Sequence, residues 1–156
     1  MNAQSYLLIA ALLITGVLSA RTFAEEHQHH DVNKSELELN HGAKWPIDES
    51  LHTGMANIRQ HLMLNLDAIH YDQFSDEQFS ALATTFDQQL KFLFENCQLP
   101  AQADAQLHIL LAKIMQGNEL MKNADNKKHG AIMIMQALQH YPMYFNDLHW
   151  QNIIHK

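Results

Sequence analysis

After Pro46, apolar residues recur at spacings of three and four in four successive segments, the mark of helices that each bury one face. The first spans about Ile47 to Ile69, with Leu51, Met55, Ile58, Leu62, Leu66 and Ile69 on one stripe. Asp48 and Glu49 suit the positive end of that helix. The second opens at Ser75, where SDEQ supplies a capping hydroxyl and a glutamine three residues on. It carries Phe79, Leu82, Phe86, Leu90, Leu93 and Cys97 on its face and must end by Pro100. The third begins near Ala101, aligns Leu107, Leu110, Leu111, Ile114 and Met121, and stops in the polar stretch Lys122 to Lys128. Gly117 inside it costs about 1 kcal/mol relative to alanine. The fourth runs from about Gly130 to Trp150 with Ile134, Leu138, Tyr141, Phe145 and Leu148 on its face, and Pro142 is expected to kink or break it. Short connections force antiparallel neighbours, so residues 46–156 are predicted to form an all-α, antiparallel up-down-up-down four-helix bundle.

Two other segments precede the bundle. Leu7 to Leu18 is a short apolar run, and small residues at Thr22 and Ala24 precede Glu25, the pattern of a signal peptide covering residues 1–24. A spanning helix needs roughly 18 to 20 apolar residues, so no stable membrane insertion is expected after cleavage. An uncleaved anchor is the alternative, because Met1 to Ser5 carries no Lys or Arg. The expected location is the bacterial periplasm. Residues 25–45, beginning with HQHH at His27 to His30, show no helical or strand period and are expected to form a flexible His-rich arm.

Composition narrows the function further. The net charge of −7 argues against nucleic acid, whose phosphates call for a basic face. Cys97 is the single cysteine and has no internal partner. It is a buried small apolar residue, a reactive thiol, a ligand, or half of a bridge that would make a dimer. Twelve histidines and eight methionines are the compositional oddity. There is no GxSxG, no HExxH and no phosphate-cradling glycine loop, so an enzyme is not expected.

The bundle topology gathers the unusual residues at one end: His52 and Met55 of the first helix, Cys97 closing the second, Asp104 and His108 opening the third, and Tyr144, His149 and Trp150 closing the fourth. Thioether, thiolate and imidazole suit Cu(I), so the leading expectation is a non-catalytic transition-metal-binding protein, copper preferred. Its ligands would be Met55, Cys97, His108 and His149, with His52 in reserve. His27, His29 and His30 of the arm would form a second, looser site for Cu(II) or Zn(II). The alternative is a b-type haem electron carrier of the four-helix kind, with Met55 and His149 as axial ligands, since no CxxCH is present for covalent attachment. A third possibility is a structural or partner-binding bundle. In that case Met55 packs the core, Cys97 is an inert thiol, and Asp104 and His108 hold a loop.

The strings KWPIDESLHTGM at Lys44 to Met55 and NCQLPAQADAQLH at Asn96 to His108, with the close from Tyr144 to Trp150, resemble small exported proteins of proteobacteria known as DnrO-like. Asn96, Cys97, Leu99, Ala103, Asp104, Leu107 and His108 carry most of the likeness. At the close, Asp147 stands where the family has a histidine two residues after the phenylalanine, and His149 follows two later. The resemblance covers most of the mature chain and implies export and an α-helical domain, without an activity.

Overall fold

The computed structural model describes residues 36–123, 125 and 127–154. The expected signal peptide and the HQHH part of the arm, with His27, His29 and His30, lie outside them. Four helices form: α1 Glu49–His70, α2 Asp76–Asn96, α3 Ala101–Lys122 and α4 Lys127–Tyr144. Both α2 and α4 flank α1, and both flank α3, so the four helices close into a bundle around one apolar core. Among the described residues there is no strand, only two isolated bridges, and no helix is long and apolar enough to cross a membrane.

Local chemistry sets the helix starts. Asp48 Oδ1 accepts from Leu51 N at 2.7 Å, making Asp48 the cap, so α1 begins at Glu49 rather than at Ile47. Its other oxygen accepts from Gln98 N at 2.6 Å, which joins the end of α2 to the start of α1. Ser75 and Gln78 form the reciprocal capping box that SDEQ implied. At the opposite end, Lys128 Nζ donates to His70 O and to Asp72 Oδ1, and Lys127 lies 3.4 Å from Asp76, so α4 starts three residues before Gly130.

Gly117 and Gly130 explain why α3 and α4 run so close. A Cβ on Gly117 would sit 2.7 Å from the carbonyl oxygen of Gly130, and one on Gly130 would collide with the carbonyl oxygen of Gly117. The missing side chains therefore let two backbones meet, which outweighs the propensity cost of glycine. On the α2–α3 side, buried Asn118 donates to Asp87 Oδ1 at 2.6 Å and to Ala83 O at 3.1 Å.

Two segments depart from the expectation. Glu36 to Trp45, expected as part of the flexible arm, lies on the bundle: Leu37 packs against the core, Glu38 N donates to Gln106 Oε1, and Trp45 is buried. The strap turns at Asn40 to Ala43, where Gly42 takes φ +88°. It is neither helix nor strand, so its apolar anchors have no period to reveal them. The second departure is at the other terminus, where α4 was expected to reach Trp150 with Leu148 buried. It ends at Tyr144, and Leu148 is 84% exposed.

Candidate functional site

The end of α4 is captured by the strap. Trp45 N donates to Tyr144 O at 2.7 Å and Asn146 N donates to Trp45 O at 2.9 Å, a parallel bridge that turns the chain out of the helix just after Pro142. Trp45 is itself held by its indole N–H, which donates to Glu38 O at 2.6 Å. Phe145 stacks on Tyr141 in the core, and the residues after it lie over the start of α1.

That path delivers Asp147 to a position where its side chain is only 1% exposed. A carboxylate so placed is costly unless hydrogen-bonded, and here it accepts from three groups. Tyr141 Oη donates at 3.1 Å, His149 N donates at 3.0 Å, and His52 Nδ1 lies 2.8 and 3.0 Å from its two oxygens. Burial, reinforced by the charge of Asp147, pushes the Tyr141 hydroxyl well above the ordinary tyrosine range, so it keeps its proton and donates.

With Nδ1 of His52 committed to Asp147, Nε2 is the ring nitrogen left for ligand chemistry. The ring of His149 lies 5.9 Å away, centroid to centroid, inclined at 71°. Both imidazoles line a cleft of about 370 Å³ whose other walls include Arg59, Gln60, Trp150 and Gln151. The indole of Trp150 packs edge-on to Tyr141 at 4.7 Å, so the buried tyrosine supports both Asp147 and the cleft wall. Among the described residues, no carboxylate lines this cleft and none of its walls is a Ser, Thr or Cys nucleophile.

Of the residues expected to form the site, His52 and His149 meet at one cleft, and Met55, Cys97 and His108 are not among its walls. Met55 has no exposed surface, packs in the core and is not a wall of the cleft. Cys97 caps the C-terminus of α2, partly buried against the core. Burial first, then the charges of Asp48 and Asp104, push its thiol up to about 12, away from the thiolate a soft metal requires. His108 is exposed on α3, with Nδ1 2.9 Å from Asp104 O and 3.3 Å from Asp104 Oδ2, and its ring contacts Phe94. Among the described residues, no three His, Cys, Asp or Glu side chains converge to hold a metal ion.

Asp147, Tyr141 and Arg59 are the site residues that pattern analysis did not single out for this role. Asp147 stood out only as the position where the resembled family has a histidine, and its partner in α1 is 95 positions away. Arg59 did carry a signal, because it is the only arginine after residue 24 in a chain whose other cations there are all lysines.

Compared with known protein families, curated proteins and solved structures, the chain matches none.

Proposed function

We propose that this chain is a non-catalytic, exported binding protein for a borderline transition metal ion, Cu(II) or Zn(II), with His52 and His149 as its protein ligands. The observation that carries this reading is the pair of imidazoles 5.9 Å apart, one of them oriented by a buried carboxylate. Metal-bound histidines commonly donate their second N–H to a carboxylate, which fixes the tautomer and raises the basicity of the ligating nitrogen. With metal–nitrogen bonds of about 2.0 Å, two imidazoles on one ion have ring centroids roughly 5 to 6 Å apart. Imidazole-only ligation suits Cu(II) and Zn(II) rather than Cu(I), since the thioether of Met55 and the thiol of Cys97 are not at the cleft. Two protein ligands leave positions open for water or an added ligand. Export rests on the apolar leader from Leu7 to Leu18 and the small residues before Glu25.

The test is calorimetric titration of the exported chain with Zn(II), and electron paramagnetic resonance with Cu(II). Both use a variant in which His27, His29 and His30 are alanine, so that the arm does not obscure the site. One equivalent should bind with nitrogen hyperfine structure, and His52→Ala with His149→Ala should abolish it while helical circular dichroism is retained. Undiminished binding in that double variant overturns the proposal.

A further inference from the structure

We infer that the strap governs the site: while Trp45 is docked, His52 and Asp147 meet, and on release of the strap α4 runs on past Tyr144 and separates them. The hydrogen bonds at the end of α4 point to these two states. Phe145 N donates to Tyr141 O at 2.9 Å, a bond of the α-helical pattern, so the helical path reaches the residue where Trp45 intervenes. In a continuing helix Asn146 N would donate to Pro142 O, and Tyr144 O would accept from Leu148 N. Instead Asn146 N donates to Trp45 O, and Tyr144 O accepts from Trp45 N. The strap therefore docks on a donor and an acceptor that the next turn of α4 would use, and the two arrangements exclude each other. Trp45 is in this sense a positioning residue, acting on His52 through Asp147.

Helix extension suits the side chains as well as the backbone. At about 100° per residue, Leu148 would come round to the apolar face shared by Tyr141 and Phe145, whereas with the strap docked it is 84% exposed. Asp147 would swing about 200° from Phe145, away from the core, and His149 would move about 6 Å along the axis beyond Phe145. Neither would then meet His52. What favours the docked form is the set of bonds that Asp147 accepts from Tyr141, His149 N and His52, together with the burial of Trp45. The strap has no helix or strand of its own: Leu37 and Trp45 anchor it, Glu38 N donates to Gln106 Oε1, and its turn depends on Gly42 at φ +88°. Segments of this kind open at free energies below that of global unfolding. The consequence for ligand binding rests on the metal reading, while the two states of the strap do not. A docked strap raises affinity for the ion, and a bound ion holds the strap down by the same factor.

The test compares the metal-free exported chain with Trp45→Ala and with Gly42→Val. The second variant strains the turn without touching the core, since a Cβ at Gly42 meets no atom within 4 Å. Carbon-13 Cα resonances of Phe145 to His149 should move downfield to helical values in Trp45→Ala, and part of the way in Gly42→Val. Mere loss of packing would not produce that gain of helix. Adding Leu148→Pro, which withholds the N–H for Tyr144 O, should cancel it. For the metal, alanine at His27, His29 and His30 silences the arm. In that background Trp45→Ala should bind Zn(II) about tenfold or more weakly. Helical shifts in either variant that Leu148→Pro cancels support the inference, whether or not Zn(II) binds. Resonances at parent or coil values in both variants, or a gain that Leu148→Pro leaves in place, overturn it. A parent chain that takes up no Zn(II) ends the metal reading alone, and the Cα shifts still decide the strap. Equal Zn(II) affinity in a variant whose closing segment has become helical overturns the strap's control of the site.

Discussion

His52 Nδ1 lies 2.8 Å from Asp147 Oδ2, so an imidazole in the first turn of α1 is aimed by a carboxylate from the non-helical close of the chain. The pairing makes Asp147 the residue on which both the fold of the closing segment and the chemistry of the cleft depend.

Asp147→Ala removes the acceptor for Tyr141 Oη, His52 Nδ1 and His149 N together. The expected loss is about 2 to 3 kcal/mol in urea unfolding, the scale of buried donors left unsatisfied. Asp147→Asn keeps an oxygen but not the charge, and should lower Zn(II) affinity by about 10- to 100-fold, as removal of a ligand's hydrogen-bonding partner does. Unchanged Zn(II) affinity in Asp147→Asn would show that the carboxylate has no part in metal binding.

Alkaline pH should destabilise the fold. Tyr141 and Cys97 are both raised, by burial first, from ordinary values of 10.0 and 9.0, with Cys97 pushed up to about 12. Above those ordinary values the unfolded chain loses protons that the folded chain keeps, so the unfolded state binds fewer protons and stability falls with pH. Their contribution is fully present below about pH 9, declines as pH rises from there, and is complete in its loss for Cys97 near 12. Melting temperatures recorded from pH 7.5 to 10.5 should fall, and the slope should be shallower in Tyr141→Phe with Cys97→Ala.

Gly130→Ala separates helix propensity from packing. Propensity alone predicts a gain of about 1 kcal/mol. The added Cβ would collide with the carbonyl oxygen of Gly117 and lie 2.8 Å from Met121 N, both backbone atoms that cannot rotate away. The helices must separate, so the expected outcome is a loss of about 1 to 3 kcal/mol, measured by denaturant unfolding. A stabilised variant would mean that α3 and α4 are not in backbone contact here.

Leu148 and Leu51 were expected on equivalent apolar faces, and the structure distinguishes them. Leu148 is 84% exposed, whereas Leu51 is fully buried. Leu148→Ser should change stability by less than about 0.5 kcal/mol, while Leu51→Ala should cost about 2 to 5 kcal/mol. Comparable losses in both would place the closing segment in the helix after all.

Much of the scaffold was legible along the chain. The stripe from Leu51 to Ile69, the SDEQ box and the stop at Pro100 each rest on groups within four residues of one another, where periodicity and capping chemistry act. The end of α4 was harder to place, because apolar residues at Phe145 and Leu148 continue a helical spacing. What stops the helix is Trp45, which takes Tyr144 O and Asn146 N from a hundred positions upstream. The candidate site was legible only in its location. His52 and His149 belong to the end that topology singled out, but Met55 turns into the core and Cys97 is tucked against it, since a helical face fixes direction only relative to its neighbours.

By itself, then, the sequence determined a four-helix bundle and most of its core, because a buried face repeats every three to four residues and that repeat is written locally. Only the tertiary structure decided the path of the strap, the exit from α4 at Tyr144 and the burial of Asp147 against His52 and Tyr141. Those features have no period: each depends on a hydrogen bond or an apolar anchor supplied by a residue distant in the chain, and such a partner is specified only once the helices have packed.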